Sequence, residues 1–355
     1  KQKTAYEIRP RDWSSDVCSS DLLKNELNEF AVKADYIAEM VRQAMYDRYK
    51  ENAYAMGLKV VTTIYVEHQR AANAALRAGV LAYDRRHGYR GPEAYVELPA
   101  AATEETLEDA LQEYSDSEDI HVAVVTEASA KRVKAYKRGG EHVEITDAGL
   151  RFAADALTDK ASPTQRIRRG AVIRVQPGDN KRWAITQLPA VESALVSLDP
   201  KDGAIRALAG GFDFAQSQYN HVTQALRQPG SSFKPFIYSA SLEKGFSPSS
   251  VINDEPLTFS AAQTGGEPWE PKNYDGTYDG PITMRQALAR SKNLVSIRIL
   301  QAIGAKYAQD YISRFGFDPK LHPPYLTMAL GAGNTTPLQM AGAYSVFANG
   351  GYRVK

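Results

Sequence analysis

The sequence predicts a multidomain α+β chain, with a helix-and-strand N-terminal region, a middle region of short strands, and a C-terminal region where helices alternate with a few strands. Three observations carry this. Ile37, Met40, Val41, Ala44 and Met45 form an apolar stripe of helical period. Several short β-rich runs follow one another between turn signals from His121 to Leu188. Beyond Val191 the apolar residues return largely to helical spacing. A length of 355 residues fits two or so compact units, and 43% hydrophobic with 24% charged residues is a globular composition.

Composition also excludes. A net charge of +1, from 43 basic and 42 acidic residues, argues against a nucleic-acid footprint. No apolar run approaches the roughly 18 residues of a spanning helix, and no signal-peptide pattern is visible. The single cysteine, Cys18, cannot close an internal disulfide. It lies in Arg9–Leu22, a polar, serine-rich stretch without periodicity that reads as a spurious insertion. His87 stands alone in a basic loop without metal-ligand spacing, so no metal is expected, and no cofactor motif is present.

Taken in order, Leu22–Met56 reads as helix, stopped by Gly57. Its stripe suits packing against a neighbour in the same chain better than docking a partner. Leu58–Val66 is β-branched and reads as a strand, and Glu67–Arg86 as an alanine-rich helix. Glu104–Asp119 is acidic and reads as a solvated helix face and loop. His121–Thr126, Arg132–Lys137, His142–Thr146, Ala171–Val175 and Arg182–Leu188 read as strands of a small barrel or sandwich. Its basic residues, Lys131, Arg132, Lys134, Lys137, Arg166, Arg168 and Arg169, are interleaved with Glu141, Glu144, Asp147, Asp155 and Asp159, which favours plain solvation over a binding patch. Ala194–Leu198 and Ala204–Ala209 flank Asp199–Gly203 as a β-hairpin. Val251–Gly280 is a long loop rich in Gly, Pro, Asn and Asp, a length that is uncommon unless functional. Thr283–Arg290, Leu294–Ile303 and Pro337–Ala348 read as helices.

The chemistry concentrates around Arg227–Tyr238. Pro229-Gly230 is a turn, and Ser231 is placed to cap the helix that carries Phe233, Phe236, Ile237 and Ala240. Ser231 and Lys234, three apart, share a face. A serine hydroxyl becomes a nucleophile when a neighbouring amine takes its proton, and that amine must first be neutral, which burial or a nearby cation promotes. A second Ser-x-x-Lys, Ser241 to Lys244, lies at the far end of the same helix. Only the first coincides with a turn meeting a helix, and Ser291-Lys292-Asn293 lies downstream as the one Ser-x-Asn of the chain.

Four blocks then resemble class A penicillin-binding proteins: Arg227–Pro235 (RQPGSSFKP), Trp269–Asn273 (WEPKN), Gly280–Asn293 (GPITMRQALARSKN) and Ala329–Gly351. The resemblance covers about residues 34 to 355 and implies four regions. Residues 1–33 are the end of a glycosyltransferase domain plus the spurious 9–22, and 34–100 form an interdomain linker. Residues 101–188 form an OB-like β-barrel, and 189–355 a C-terminally truncated penicillin-binding, serine β-lactamase-like transpeptidase domain. It implies acyl transfer on D-Ala-D-Ala stem peptides and reaction with β-lactams. In it Ser231 is the nucleophile, Lys234 its base, Ser291 the proton relay and Asn293 the holder of a substrate amide. Trp269, Asn273 and Tyr274 are candidate substrate contacts in the long loop. Lys292 stands where β-lactamases carry aspartate, which argues against a hydrolase. The Lys-Thr-Gly strand that completes the oxyanion hole does not occur in the sequence, so the chain reads as an inactive internal piece of a bifunctional, inner-membrane, periplasm-facing synthase. Its membrane contact would come only through an N-terminal anchor outside the sequence. For the OB-like domain, docking of other cell-wall synthesis proteins ranks above nucleic-acid binding, and plain solvation of its charges ranks above both. A β-lactam-hydrolysing enzyme and a non-catalytic cell-wall module remain the alternatives.

Overall fold

The computed structural model describes residues 5–7, 32–178, 182–264 and 267–354. The stretch 9–22, Cys18 and the first turns of the expected Leu22–Met56 helix lie outside them. The chain divides into two compact units: residues 1–73, 194–210 and 219–355 form the first, and residues 74–193 and 211–218 the second.

In chain order the elements begin with β1 (Ala5–Glu7), α1 (Asp35–Tyr49), α2 (Asn52–Ala55), β2 (Lys59–Val61) and α3 (Val66–Arg86). β1 and β2 pair antiparallel. The strand expected over Leu58–Val66 therefore shrinks to Lys59–Val61 near its start. Of the α1 stripe only Ile37 is buried; Met40, Val41 and Met45 are half-buried and Ala44 is exposed.

The second unit continues with β3 (Ala94–Tyr95), α4 (Glu104–Asp109), β4 (His121–Ser129), β5 (Arg132–Lys137), β6 (Glu141–Thr146), β7 (Ala171–Pro177) and β8 (Trp183–Thr186). They form one antiparallel sheet in the order β3-β7-β4-β5-β6, with β8 also on β7. β6 lies alongside β8, so the sheet curls toward a barrel. Strand alternation sends neighbouring residues to opposite faces, and β4 shows its use. Ala123 and Val125 join one core with Val133, Val143, Ile145 and Ile173, while Val122 and Val124 join another with Leu107, Leu111 and Tyr136. Charged side chains at the edges pair internally: Lys134 with Glu127 at 3.0 Å, Lys137 with Glu141 at 2.6 Å, and Arg166 with Asp159.

The first unit resumes with the hairpin β9 (Leu195–Leu198) and β10 (Ile205–Ala209), followed by α5 (Lys234–Leu242), β11 (Val251–Asp254), α6 (Ala261–Thr264), β12 (Gly280–Thr283), α7 (Met284–Ala289), α8 (Asn293–Ile303), α9 (Ala305–Ile312) and α10 (Pro337–Ala348). The expected long loop is bounded by an antiparallel ribbon, β11 on β12, and is pinched where Phe259 pairs with Trp269. α8 is buried on nearly every side, and its Leu294, Val295, Ile297, Ile299 and Leu300 meet Phe233, Phe236 and Ile237 in one core. A helix apolar all round belongs inside. In α10 Val346 is buried, whereas Tyr344 is exposed and donates to the Ser232 carbonyl at 2.7 Å.

Candidate active site

Ser231 lies one step earlier in the structure than its sequence suggests. It is inside a 3-10 turn, Gly230–Phe233, and the α-helix begins only at Lys234. The cap positions are Pro229 for the turn and Phe233 for the helix, and neither cap makes a side-chain bond, so Ser231 is not the N-cap. The tighter turn brings the two side chains into line. Side chains three apart eclipse in a 3-10 helix, and the backbone N–H of Lys234 donates to the Ser231 carbonyl. Ser231 and Lys234 therefore follow one edge, with Ser231 exposed and Lys234 only 1% exposed.

Block 329–336 supports this turn from behind. Arg227 and Thr335 exchange backbone hydrogen bonds at 3.0 Å, and Gly230 N–H donates to the Gly331 carbonyl at 3.3 Å. Gly331 has φ +71°, and a Cβ there would stand 2.1 Å from the Gly230 carbonyl oxygen. Thr336 and Gln339 form a reciprocal capping box at the start of α10. They set the start of that helix.

Lys234 Nζ donates to the Ser291 carbonyl at 2.6 Å, the Ser291 hydroxyl at 2.9 Å and Asn293 Oδ1 at 2.7 Å. Burial pushes this amine down from the ordinary lysine value to about 8. The cause is desolvation, not the neighbouring cation: Lys292 is itself buried and neutralised by Asp254, Asp275 and Asp279 at 3.3, 3.1 and 3.2 Å. For Lys292 burial works downward, but the hydrogen-bonded carboxylates outweigh it and hold the ammonium above its usual value. Among the described residues the hydrogen bonds of Lys234 Nζ go to the Ser291–Asn293 segment and not to the Ser231 hydroxyl.

Ser291 occupies the left-handed region at φ +55°. That conformation is unusual for a serine, and it lets both its carbonyl and its hydroxyl face the same amine. α7, which delivers it, starts from a capping box at Thr283 and Gln286. The structure thus gathers Lys234, Ser291 and Asn293 at hydrogen-bonding distance, with Ser231 one turn away. The second Ser-x-x-Lys is a different matter. Ser241 is fully buried and donates to the Tyr238 carbonyl, while Lys244 stands over the Tyr307 ring.

The loop candidates separate. Asn273 is corrected: it is 4% exposed and both ends of its amide are bonded within the protein, so it does not face a groove. Trp269 is half-buried and stacks on Phe259 at 5.4 Å. Tyr274 is fully exposed. Sequence reasoning missed Asp254, a fully buried carboxylate that bonds Asn273 and Lys292; nothing in its local pattern marks it.

Residues 89–191 match the penicillin-binding protein OB-like domain, and residues 193–355 match the penicillin-binding protein transpeptidase domain. The chain belongs to the penicillin-binding proteins. It is 51% identical over 324 residues to penicillin-binding protein 1A of Neisseria lactamica, matching 90% of this chain and 40% of that protein. The protein of the same name from Pseudomonas aeruginosa is 44% identical over 329 residues, with 91% and 40% covered. The crystal structure of penicillin-binding protein 1A from Haemophilus influenzae superposes with a TM-score of 0.82 at 37% identity, covering 92% of this chain and 48% of that one. The chain thus spans about 40% of the length of these curated relatives. No helix among the described residues is long and apolar enough to cross a membrane.

Proposed function

We propose that the first unit carries the acyl-transfer site of a peptidoglycan D,D-transpeptidase, part of a bifunctional synthase, with Ser231 as nucleophile. The observation that carries this is a lysine buried to 1% exposure, its amine lowered to about 8, one 3-10 turn from an exposed serine and bonded to Ser291 and Asn293. A neutral Lys234 takes the Ser231 proton as the oxygen attacks the carbonyl carbon of the penultimate D-alanine. The tetrahedral intermediate collapses with cleavage of the C–N bond. The departing D-alanine amine receives a proton through Ser291, which lies 2.9 Å from Lys234 Nζ. The resulting ester is resolved by an amine of a neighbouring stem peptide, which forms the cross-link and frees Ser231. One N–H of Asn293 is engaged by the Lys272 carbonyl at 2.9 Å, which leaves the other for a substrate amide. A β-lactam enters the same pathway, its ring amide replacing the peptide bond.

The relatives' names support β-lactam binding as a property of the family, and stem peptides as substrate follow from the transpeptidase match. Action at the outer face of the inner membrane belongs to the same reading. The test is labelling with a fluorescent penicillin, in a chain carried to the length its relatives span. The adduct is expected on Ser231, stable for minutes to hours, and abolished by Ser231→Ala. Labelling that survives Ser231→Ala points to a non-catalytic binder, and an adduct lost within seconds points to a hydrolase.

A further inference from the structure

α8 begins without a cap of its own. Lys292, at its N-cap position, makes no side-chain cap bond. Asn273 supplies one from the loop: its Oδ1 accepts from the backbone N–H of Asn293 at 2.9 Å and of Leu294 at 3.3 Å. The opposite end of the same amide donates to Asp254 at 2.8 and 3.0 Å and to the Thr277 carbonyl at 2.8 Å. Asp254 also accepts from the Asp279 N–H at 3.1 Å and faces Lys292 Nζ at 3.3 Å. Lys292 donates further to the Thr277 hydroxyl and carbonyl at 3.1 and 3.2 Å. Strand β11, the loop before β12 and the α7–α8 turn are thereby joined through three side chains that are each at most 4% exposed.

We infer that Asp254, Asn273 and Lys292 are positioning residues for acyl transfer, a bracket that fixes residues 291–293 so that Ser291 and Asn293 hold the Lys234 amine beside Ser231. The inference rests on the assignment of Ser231 as nucleophile. None of the three reaches the reacting atoms; they act through the backbone of Asn293 and through Lys292, which lies between the two residues that bond Lys234. Ser291 at φ +55° keeps its unusual conformation only while its surroundings impose it. A buried polar network with every partner in place does so more rigidly than apolar packing, whose contacts are not directional. Reaction rates respond steeply to sub-ångström placement, so such a bracket bears on rate.

The experiment measures the second-order rate of acylation by a fluorescent penicillin and, separately, the fraction of molecules labelled at completion. Asn273→Ala is expected to slow acylation by about 10–100-fold in the molecules that still label. Asn273→Asp sets two carboxylates against each other and slows it as well. The exchange Asn273→Asp with Asp254→Asn restores one amide and one carboxylate, and is expected to recover most of the rate lost in Asn273→Asp. An unchanged rate in the labelled fraction of Asn273→Ala overturns the inference, as does an exchange variant no faster than Asn273→Asp. A parent that labels nowhere on Ser231 overturns the nucleophile assignment and this role with it, whereas a labelled parent with unaffected variants overturns this role alone.

Discussion

In the proposed acyl transfer, Lys234 is the residue whose protonation sets the rate. With its amine lowered to about 8 by burial, about one molecule in ten carries it neutral at pH 7. Acylation of Ser231 should therefore climb about tenfold per pH unit below about pH 8 and level above it. Stopped-flow acylation from about pH 6 to about pH 10 reads this directly, and a rate still climbing beyond about pH 9.5 would contradict it. Stability follows the opposite logic from that of a salt-bridged lysine. The folded value lies below the unfolded value of 10.5, so the unfolded chain binds the extra proton between about 8 and 10.5, and stability rises with pH across that window. Below about pH 8 both states are protonated and the burial penalty is fully present. Lys234→Met should thus abolish acylation yet unfold at or above the parent's midpoint at pH 7, its advantage shrinking toward about pH 10 in thermal melts. The serine, lysine and asparagine of this site were legible because their spacing within each motif is local. Asn273 was not: a polar residue in a polar loop carries no mark of burial, and its partner Asp254 lies on another segment.

The turn holding Ser231 depends on two glycines with different reasons for being glycine. Gly331 has φ +71° and no room, since a Cβ would strike the Gly230 carbonyl. Gly230 has φ +57° and open space around it. Gly230→Ala should therefore lower stability by about 1 kcal/mol, the backbone cost alone. Gly331→Ala should cost about 2–4 kcal/mol and slow acylation as well, because the clash is relieved only by moving the Ser231 turn. Urea unfolding and acylation rates, compared between the two variants, check the contrast; equal effects would show that the two backbones do not press on each other. At this scale the sequence was informative where one element carries its own signals. β5 and α10 have the expected bounds, the latter because Thr336, Pro337 and Gln339 spell out its start. The ribbon of β11 and β12 was hidden, since four-residue strands 25 residues apart reveal themselves only by pairing. α9, eight residues behind Gly304, was likewise not read out.

At the scale of the molecule, the β-rich unit and the unit that carries Ser231 each have a core drawn from their own residues. Ile145 and Val133 belong to the first, Phe236 and Leu294 to the second. The alternation of β4 between two apolar clusters was readable only as a strand; that both of its faces are covered required α4 and the 3-10 segment Asp147–Leu157 to pack over the sheet. Separate cores make a separable prediction. Ile145 is fully buried, and deleting most of its side chain in Ile145→Ala leaves a cavity worth about 2–5 kcal/mol. That loss should appear in calorimetry as a shift of the β-rich unit's transition. The acylation rate at Ser231 should stay within about twofold of the parent at temperatures below that transition, because no side chain bonded to Lys234 belongs to the weakened core. A parallel fall in acylation would mean that the β-rich unit helps set the geometry of the reacting serine, a coupling that neither core requires.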